Sequence, residues 1–220
     1  MVEQLTEVDP DVVRANLARI RERIRDAAAV AGRDPGSVEV VAATKYIASG
    51  AMGALAAGGV SHVGENRAQD LKEKQERWGE TFRWDFIGDL QSRKVPALIG
   101  AVRLIHSVAS ESALAKFDRP GGESQEILIQ VNLAEEESKG GIAPAELPRF
   151  LERATCRVVG LMTMPPLAGS PEESRRWFSA LRELAAAHDL HHLSMGTSQD
   201  YGVAVEEGAT IVRIGSVLCT

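Results

Sequence analysis

Four short stretches carry residues whose types and spacing could do chemistry. VEVVAATK closes a run of small, apolar and β-branched residues on Lys45. IVRIG sets Arg213 inside an apolar strand, two residues before a glycine. SMGTS and RIGS supply Gly196-Thr197-Ser198 and Gly215-Ser216 at two strand ends. A lysine that loses part of its water shell has its pKa lowered from about 10.4, which frees the amine to add to a carbonyl compound. A guanidinium cannot be neutralised by losing a proton, so burying Arg213 demands an acceptor. Glycine-containing turns let backbone N–H groups face an anion, and Ser198 can add its hydroxyl. Each feature also has a plainer role open to it. Lys45 could keep its stem packed and its ammonium in water, Ser198 could be an ordinary helix cap, and Arg213 could pair with Glu65 or another strand-end acid.

These residues need elements to position them. Asp9-Pro10 reads as a cap and first-turn proline, followed by Val13, Leu17, Ile20, Ile24, Ala27 and Ala31 at helical spacing and by Gly32 as a stop. A β/α beat then sets in. VEVVAAT precedes a helical stretch at Met52–Ala57, VSHVG precedes Arg67–Arg77, RWDFIG precedes Gln91–Ile99, and VRLIHSV precedes Ser110–Lys116. EILIQVNL precedes a charged, solvated loop (AEEESKGG) and a helix from Pro144 to Arg153, and CRVVGLMTM precedes a helix opened by the capping box Ser170-Pro171-Glu172-Glu173. HHLSM precedes Gln199–Glu207, and TIVRIGS follows. Near-continuous apolar strands are covered on both faces, as in a parallel sheet. Eight such beats favour a (β/α)₈ barrel of TIM type over an open doubly wound sheet. Without a Pro/Ser/Gly-rich linker or a long charge run, residues 1–220 read as one domain with an extra N-terminal helix.

Within that barrel, strand alternation places Val41, Ala43 and Lys45 on the inner face. Ala42, Thr44 and Tyr46 fall on the outer face, so Tyr46 is expected to point away from the mouth. Loops after strands seven and eight are the usual phosphate site of the fold. A lysine, an arginine and two glycine turns converging at one mouth match the aldehyde, ring nitrogen and phosphate of pyridoxal 5′-phosphate (PLP).

The totals restrict the classes of function. A net charge of −6 argues against non-specific nucleic-acid binding, which needs a basic face. Ile47–Gly64 carries too many glycines and polar residues for a membrane span, and MVEQLTEVDP has no secretory pattern, so a cytoplasmic protein is expected. Cys156 and Cys219 lie far apart and read as reduced thiols, and no His/Asp/Glu cluster has metal-ligand spacing.

Over nearly its full length the chain resembles the pyridoxal phosphate homeostasis proteins, relatives of the N-terminal barrel of alanine racemase. The resemblance rests on ATK at Lys45, VGENR at 63–67, FIG–LQ at 86–91, HSV at 106–108, ESKGG at 137–141, GLMTM at 160–164, LSMGTSQD at 193–200 and VRIG at 212–215. It implies a PLP-bearing barrel with Lys45 as the Schiff-base lysine and Arg213 facing the pyridine nitrogen. It also implies phosphate contacts from Gly196, Thr197, Ser198, Gly215 and Ser216, with Asn66 beside the cofactor. This chain departs from the family pattern at Asp85 (usually histidine), Ala109 (often aspartate) and the closing Leu218-Cys219-Thr220 (usually Leu-Phe-Gly). Those departures are expected to change contacts around the rim.

The residues favour holding cofactor over transforming substrate. Racemisation needs a base on each face of the substrate carbon and a strong electron sink. The chain has two tyrosines, Tyr46 and Tyr201, and neither is an obvious second base. Racemases of this fold carry a β-rich second domain, none follows strand eight here, and arginine at the ring nitrogen weakens the sink. The expectation is a monomeric carrier that holds PLP on Lys45 and supplies PLP-dependent apo-enzymes, with effects on amino-acid and keto-acid balance. A low-activity amino-acid racemase is the alternative. His106 lies near the end of strand four and could line the mouth. Met162 and Met164 read as core, with room for contact to the ring, and His62, His188, His191 and His192 as structural or solvated.

Overall fold

A computed structural model describes residues 4–134, 136, 140–167 and 169–220. The first helix, α1 (Pro10–Val30), starts where the sequence predicts: the Asp9 carboxylate accepts from the Asp11 N–H at 2.8 Å. It ends at Gly32, whose φ of +64° takes the chain out of the helix. Eight parallel strands follow: β1 (Glu39–Ala43), β2 (His62–Glu65), β3 (Arg83–Phe86), β4 (Leu104–Val108), β5 (Glu126–Gln130), β6 (Arg157–Met162), β7 (His192–Thr197) and β8 (Ile211–Ile214). Each pairs with the next, and β8 returns to β1 through Glu39↔Ile211 and Val41↔Arg213, so the sheet closes into a barrel.

Between the strands run α2 (Met52–Ala57), α3 (Ala68–Trp78), α4 (Val95–Leu98), α5 (Glu111–Leu114), α6 (Leu147–Arg153), α7 (Arg175–Ala186) and α8 (Tyr201–Glu206). Several are shorter than the sequence pattern suggests, because 3₁₀ turns take over one end: Ser92–Lys94 before α4, Ala115–Phe117 after α5 and Pro144–Glu146 before α6. At Ser170 the expected box is altered. The Glu173 carboxylate gathers the Ser170 hydroxyl and the Gly169 N–H, and a 3₁₀ turn, Pro171–Ser174, precedes α7. Of the charged loop after β5, residues 135 and 137–139 lie outside the described residues, so its solvation and most of the ESKGG stretch do too. Ile142 returns to β5 through its N–H to Gln130 O and the Asn132 N–H to its own carbonyl, each at 2.9 Å.

Helix α1 packs against both α2 and α8, filling the ring position between them. Val13, Leu17, Ile20 and Ile24 are buried there, and Asn16 donates to Leu218 O and Thr220 O at 3.3 and 3.0 Å. The core forms two shells. Outward strand residues such as Ala42, Val63, Phe86, Ile105 and Val212 meet the helices. Val41, Leu104, Leu128, Met162 and Ile211 fill the barrel itself.

Candidate functional site

The C-terminal strand ends surround a cavity of about 290 Å3 lined by Ala43, Lys45, Tyr46, Asn66, Ile87, Met164, Thr197, Ser198, Gln199, Arg213, Gly215 and Ser216. That volume is near the lower end for small-molecule sites, roughly 300–1,000 Å3. A separate hollow of about 400 Å3 lies at the opposite end of the barrel, between α1 and the starts of β1 and β2.

Lys45 is half-buried and stands on a 3₁₀ turn, Thr44–Tyr46, immediately after β1. The turn changes which side chains share a face. Strand residues alternate by half a revolution, whereas 3₁₀ residues advance by a third. Tyr46 therefore does not point away as strand alternation predicts. Its ring lines the cavity, with the Lys45 Nζ 4.6 Å from the ring centroid, within cation–π range.

Contacts from Leu5, Lys74 and Glu65 pin this turn. Leu5 bridges to it from the N-terminal segment, donating to Tyr46 O at 2.7 Å and accepting from the Ala48 N–H at 2.9 Å. From α3, Lys74 reaches under it and donates to Thr44 O at 2.7 Å. The same ammonium pairs with the Glu65 carboxylate, which also accepts from Thr44 Oγ1 at 2.6 Å. Glu65 and Lys74 are both buried. Sequence reading missed this clamp: Lys74 lies on the buried stripe of α3 at the spacing of Leu71, where a cation goes only with a partner.

Glu65 is thus occupied by Lys74, and the partners of Arg213 lie elsewhere. Its guanidinium donates to Ser194 O, Ser194 Oγ, Thr163 O and Met164 Sδ, none of them a carboxylate. Burial lowers its pKa to about 10, partly opposed by the negative charge of Asp200. It stays cationic at neutral pH. Three of its acceptors are firmly held oxygens. The fourth is a thioether, a weak acceptor, from Met164, a residue that is 43 % exposed. Met162 and Met164 also part company, because Met162 is inside the barrel core while Met164 lines the cavity.

The glycine turns differ from one another. At Gly215 an added Cβ would meet nothing closer than 3.9 Å, the Ser198 Oγ and Tyr46 ring atoms of the cavity wall. The backbone there opens onto free space, and the Gly215 N–H donates to Ser198 Oγ at 3.1 Å. Gly196 is buried with φ +89°, and an added Cβ would lie 2.6 Å from Ala204 Cβ. It shapes the β7–α8 turn and is not among the residues lining the cavity. Thr197 lines it, while its N–H and hydroxyl go to Asp200 Oδ1 at 2.7 and 3.1 Å. Ser198 and Ser216 line it as well.

Asn66 lines the cavity, and its Oδ1 is buried with no hydrogen-bond partner. An orphaned acceptor of this kind costs stability unless a donor reaches it. Tyr201 starts α8 and lies under the Arg23 guanidinium of α1, 5.6 Å from the ring centroid, outside the cavity lining. His106 does not line the mouth. It is fully buried inside the barrel, between Asp85 Oδ2 and Ser194 Oγ. Asp85 is likewise interior, not on the rim where its departure from the family pattern had placed its effect. Both thiols are free, and burial pushes Cys156 up to about 11. Among the described residues no group of three or more His, Cys, Asp or Glu could hold a metal ion, and no helix is long and apolar enough to cross a membrane.

Comparison with known proteins gives the chain its relatives. The alanine racemase N-terminal domain family matches residues 8–220. The pyridoxal phosphate homeostasis protein of Aquifex aeolicus is 39% identical over 216 residues, covering 92% of this chain and 95% of that one. That of Pseudomonas aeruginosa is 35% identical and covers 94% of each. Among solved structures, PipY of Synechococcus elongatus with PLP bound superposes with a TM-score of 0.80 at 31% identity, covering 94% of this chain and all of that one. With the family match spanning residues 8–220 and relatives of 39% and 35% identity covered almost end to end, this protein belongs to the pyridoxal phosphate homeostasis protein family.

Proposed function

We propose that the cavity at the barrel mouth binds PLP, that Lys45 is its covalent attachment point, and that the protein holds and hands over cofactor. The observation that carries this reading is a half-buried lysine sharing one cavity with a buried arginine and an open glycine cradle. The donor set fits the group. Arg213 can donate to a ring nitrogen, the Ser198 hydroxyl and the Ser216 N–H can receive a phosphate beside the open Gly215, and the orphaned Asn66 Oδ1 can accept from a hydroxyl. Thr197 would stand beside the phosphate, and Gly196 would contribute through the turn it shapes. When bound, PLP supplies an aldehyde that condenses with a primary amine, its carbonyl carbon gaining a bond to nitrogen as the oxygen leaves in water.

Holding is favoured over racemisation by the tyrosines. Tyr201 is engaged under Arg23, and the Tyr46 ring lies against the Lys45 ammonium, so the two groups share one wall of the cavity. A second base for the opposite face of a substrate carbon has no candidate among them. Arg213, cationic at neutral pH, disfavours protonation of a ring nitrogen beside it and so weakens the electron sink. In this reading the carrier works in the cytoplasm, supplies apo-enzymes that use PLP, and thereby affects the balance of amino and keto acids.

The first experiment is the absorbance spectrum of purified protein before and after borohydride, beside Lys45→Ala. A bound-PLP band in the wild type that borohydride fixes to the Lys45 peptide, and that the variant lacks, supports the reading. No such band even after added PLP would overturn it. Exchange of the α-proton of L-alanine at ordinary enzymatic rates would replace the carrier with the racemase.

A further inference from the structure

A column of buried polar groups runs through the barrel interior and ends at Arg213. At the N-terminal end, Arg103 pairs with Glu39 at 2.7 Å and donates from Nε and Nη2 to the two Asp85 oxygens at 2.9 and 2.7 Å. Asp85 Oδ2 lies 3.1 Å from His106 Nε2, and His106 Nδ1 lies 2.8 Å from Ser194 Oγ. Ser194 Oγ in turn accepts from Arg213 Nη1 at 2.5 Å. Asp85, His106 and Ser194 are fully buried in a layer that could hold apolar side chains, as its neighbours Val41, Leu128 and Met162 do.

With His106 neutral and Asp85 ionised, one assignment of the hydrogens satisfies every contact. The Arg213 guanidinium can only donate, so Ser194 Oγ accepts from it and the hydroxyl's own hydrogen goes to His106 Nδ1. Nδ1 must then carry no proton, and His106 Nε2–H donates to the Asp85 carboxylate. Burial, the largest influence on His106, favours this neutral ring and outweighs the pull of Asp85. Each group leaves its neighbour one permitted orientation, and the last of them is a guanidinium on the cavity wall.

We propose that Asp85, His106 and Ser194 are positioning residues for the cofactor: the column orients the Arg213 guanidinium and holds it as a donor toward the ring nitrogen of bound PLP. This rests on the PLP reading above. It accounts for the choice of a buried polar column, which costs desolvation, over an apolar barrel filling.

The test uses Ser194→Ala and Asp85→Asn, two positions outside the cavity lining. Ser194→Ala removes the hydroxyl link and leaves Ser194 O to keep Arg213 in place, so the barrel is expected to fold with native circular dichroism. PLP binding, followed by fluorescence and by the visible band, is expected to weaken about tenfold, with the band displaced from that of the wild type. In unliganded protein, ¹⁵N NMR should show His106 protonated at Nε2 alone, and its ring signals should move when PLP is added. Variants that melt earlier yet bind PLP with wild-type affinity and an unmoved band would show the column to be structural only, and the inference would fall. If Asp85→Asn does not fold, Ser194→Ala decides. Wild-type protein that binds no PLP would instead remove the reading beneath, and this inference with it.

Discussion

Gly196 and Gly215 look interchangeable as letters, each followed by a hydroxyl residue near a strand end, yet substitution should separate them. Gly196 sits at φ +89° with Ala204 Cβ 2.6 Å and Tyr201 Cα 2.9 Å from where a Cβ would go. Gly196→Ala is expected to cost about 1–3 kcal/mol in urea unfolding, from left-handed strain and overlap with α8. Gly215→Ala meets no atom within 3.9 Å and should cost less stability, while its methyl enters the phosphate cradle and weakens PLP binding in a fluorescence titration. Equal stability losses with unchanged PLP affinity at Gly215 would contradict the cradle.

At the scale of elements, one buried ion pair joins α3 to β2, and the β1–α2 turn is hydrogen-bonded to both of its members. Lys74→Met leaves the Glu65 carboxylate in a dry place without its cation. Chemical denaturation should show a loss of about 3–5 kcal/mol. The double variant Lys74→Met/Glu65→Leu should recover most of it, since no charge is then stranded. Because Lys74 also holds Thr44 O, the single variant should slow capture of PLP by Lys45 in a stopped-flow trace. If Lys74→Met melts like wild type, the pair contributes no net support to the turn.

For the whole molecule, ring closure by α1 makes that helix part of the barrel's stability and not an appendage. Ile20→Ala, at a buried position facing the ring, should cost about 2–5 kcal/mol. A loss under 1 kcal/mol would mean that α1 is loosely docked. The pH dependence is also a property of the fold. Burial depresses the pKa of His106 and of His62. The unfolded chain therefore takes up these protons first, near pH 6.5, and stability falls as pH drops from there toward the folded values, with no effect above. Asp85 adds a later loss. Burial raises its pKa, but hydrogen bonds from His106 and Arg103 win and hold it low, so its contribution goes as pH falls below about 4. Melting temperature against pH should slope downward below 6.5, and His106→Gln should reduce that slope; an unchanged slope would refute the assignment.

By itself the sequence determined the number and order of the strands, the helix ahead of them, and the placing of Lys45, Ser198, Arg213, Gly215 and Ser216 at one mouth. Those follow from local periodicity and from the rule that parallel βα units close with their C-terminal strand ends together. Only the tertiary structure decided which partners those residues take. Tyr46 enters the cavity because a 3₁₀ turn replaces one more strand residue, a change of backbone rotation that alternating hydrophobicity does not report. Glu65 goes to Lys74, and Arg213 ends a column that starts at Arg103, because a charge buried away from water is held there by partners from across the fold. Partners 19 to 88 positions apart along the chain, such as Ser194 with Arg213 and with His106, are chosen by barrel closure and leave no mark on the sequence around them.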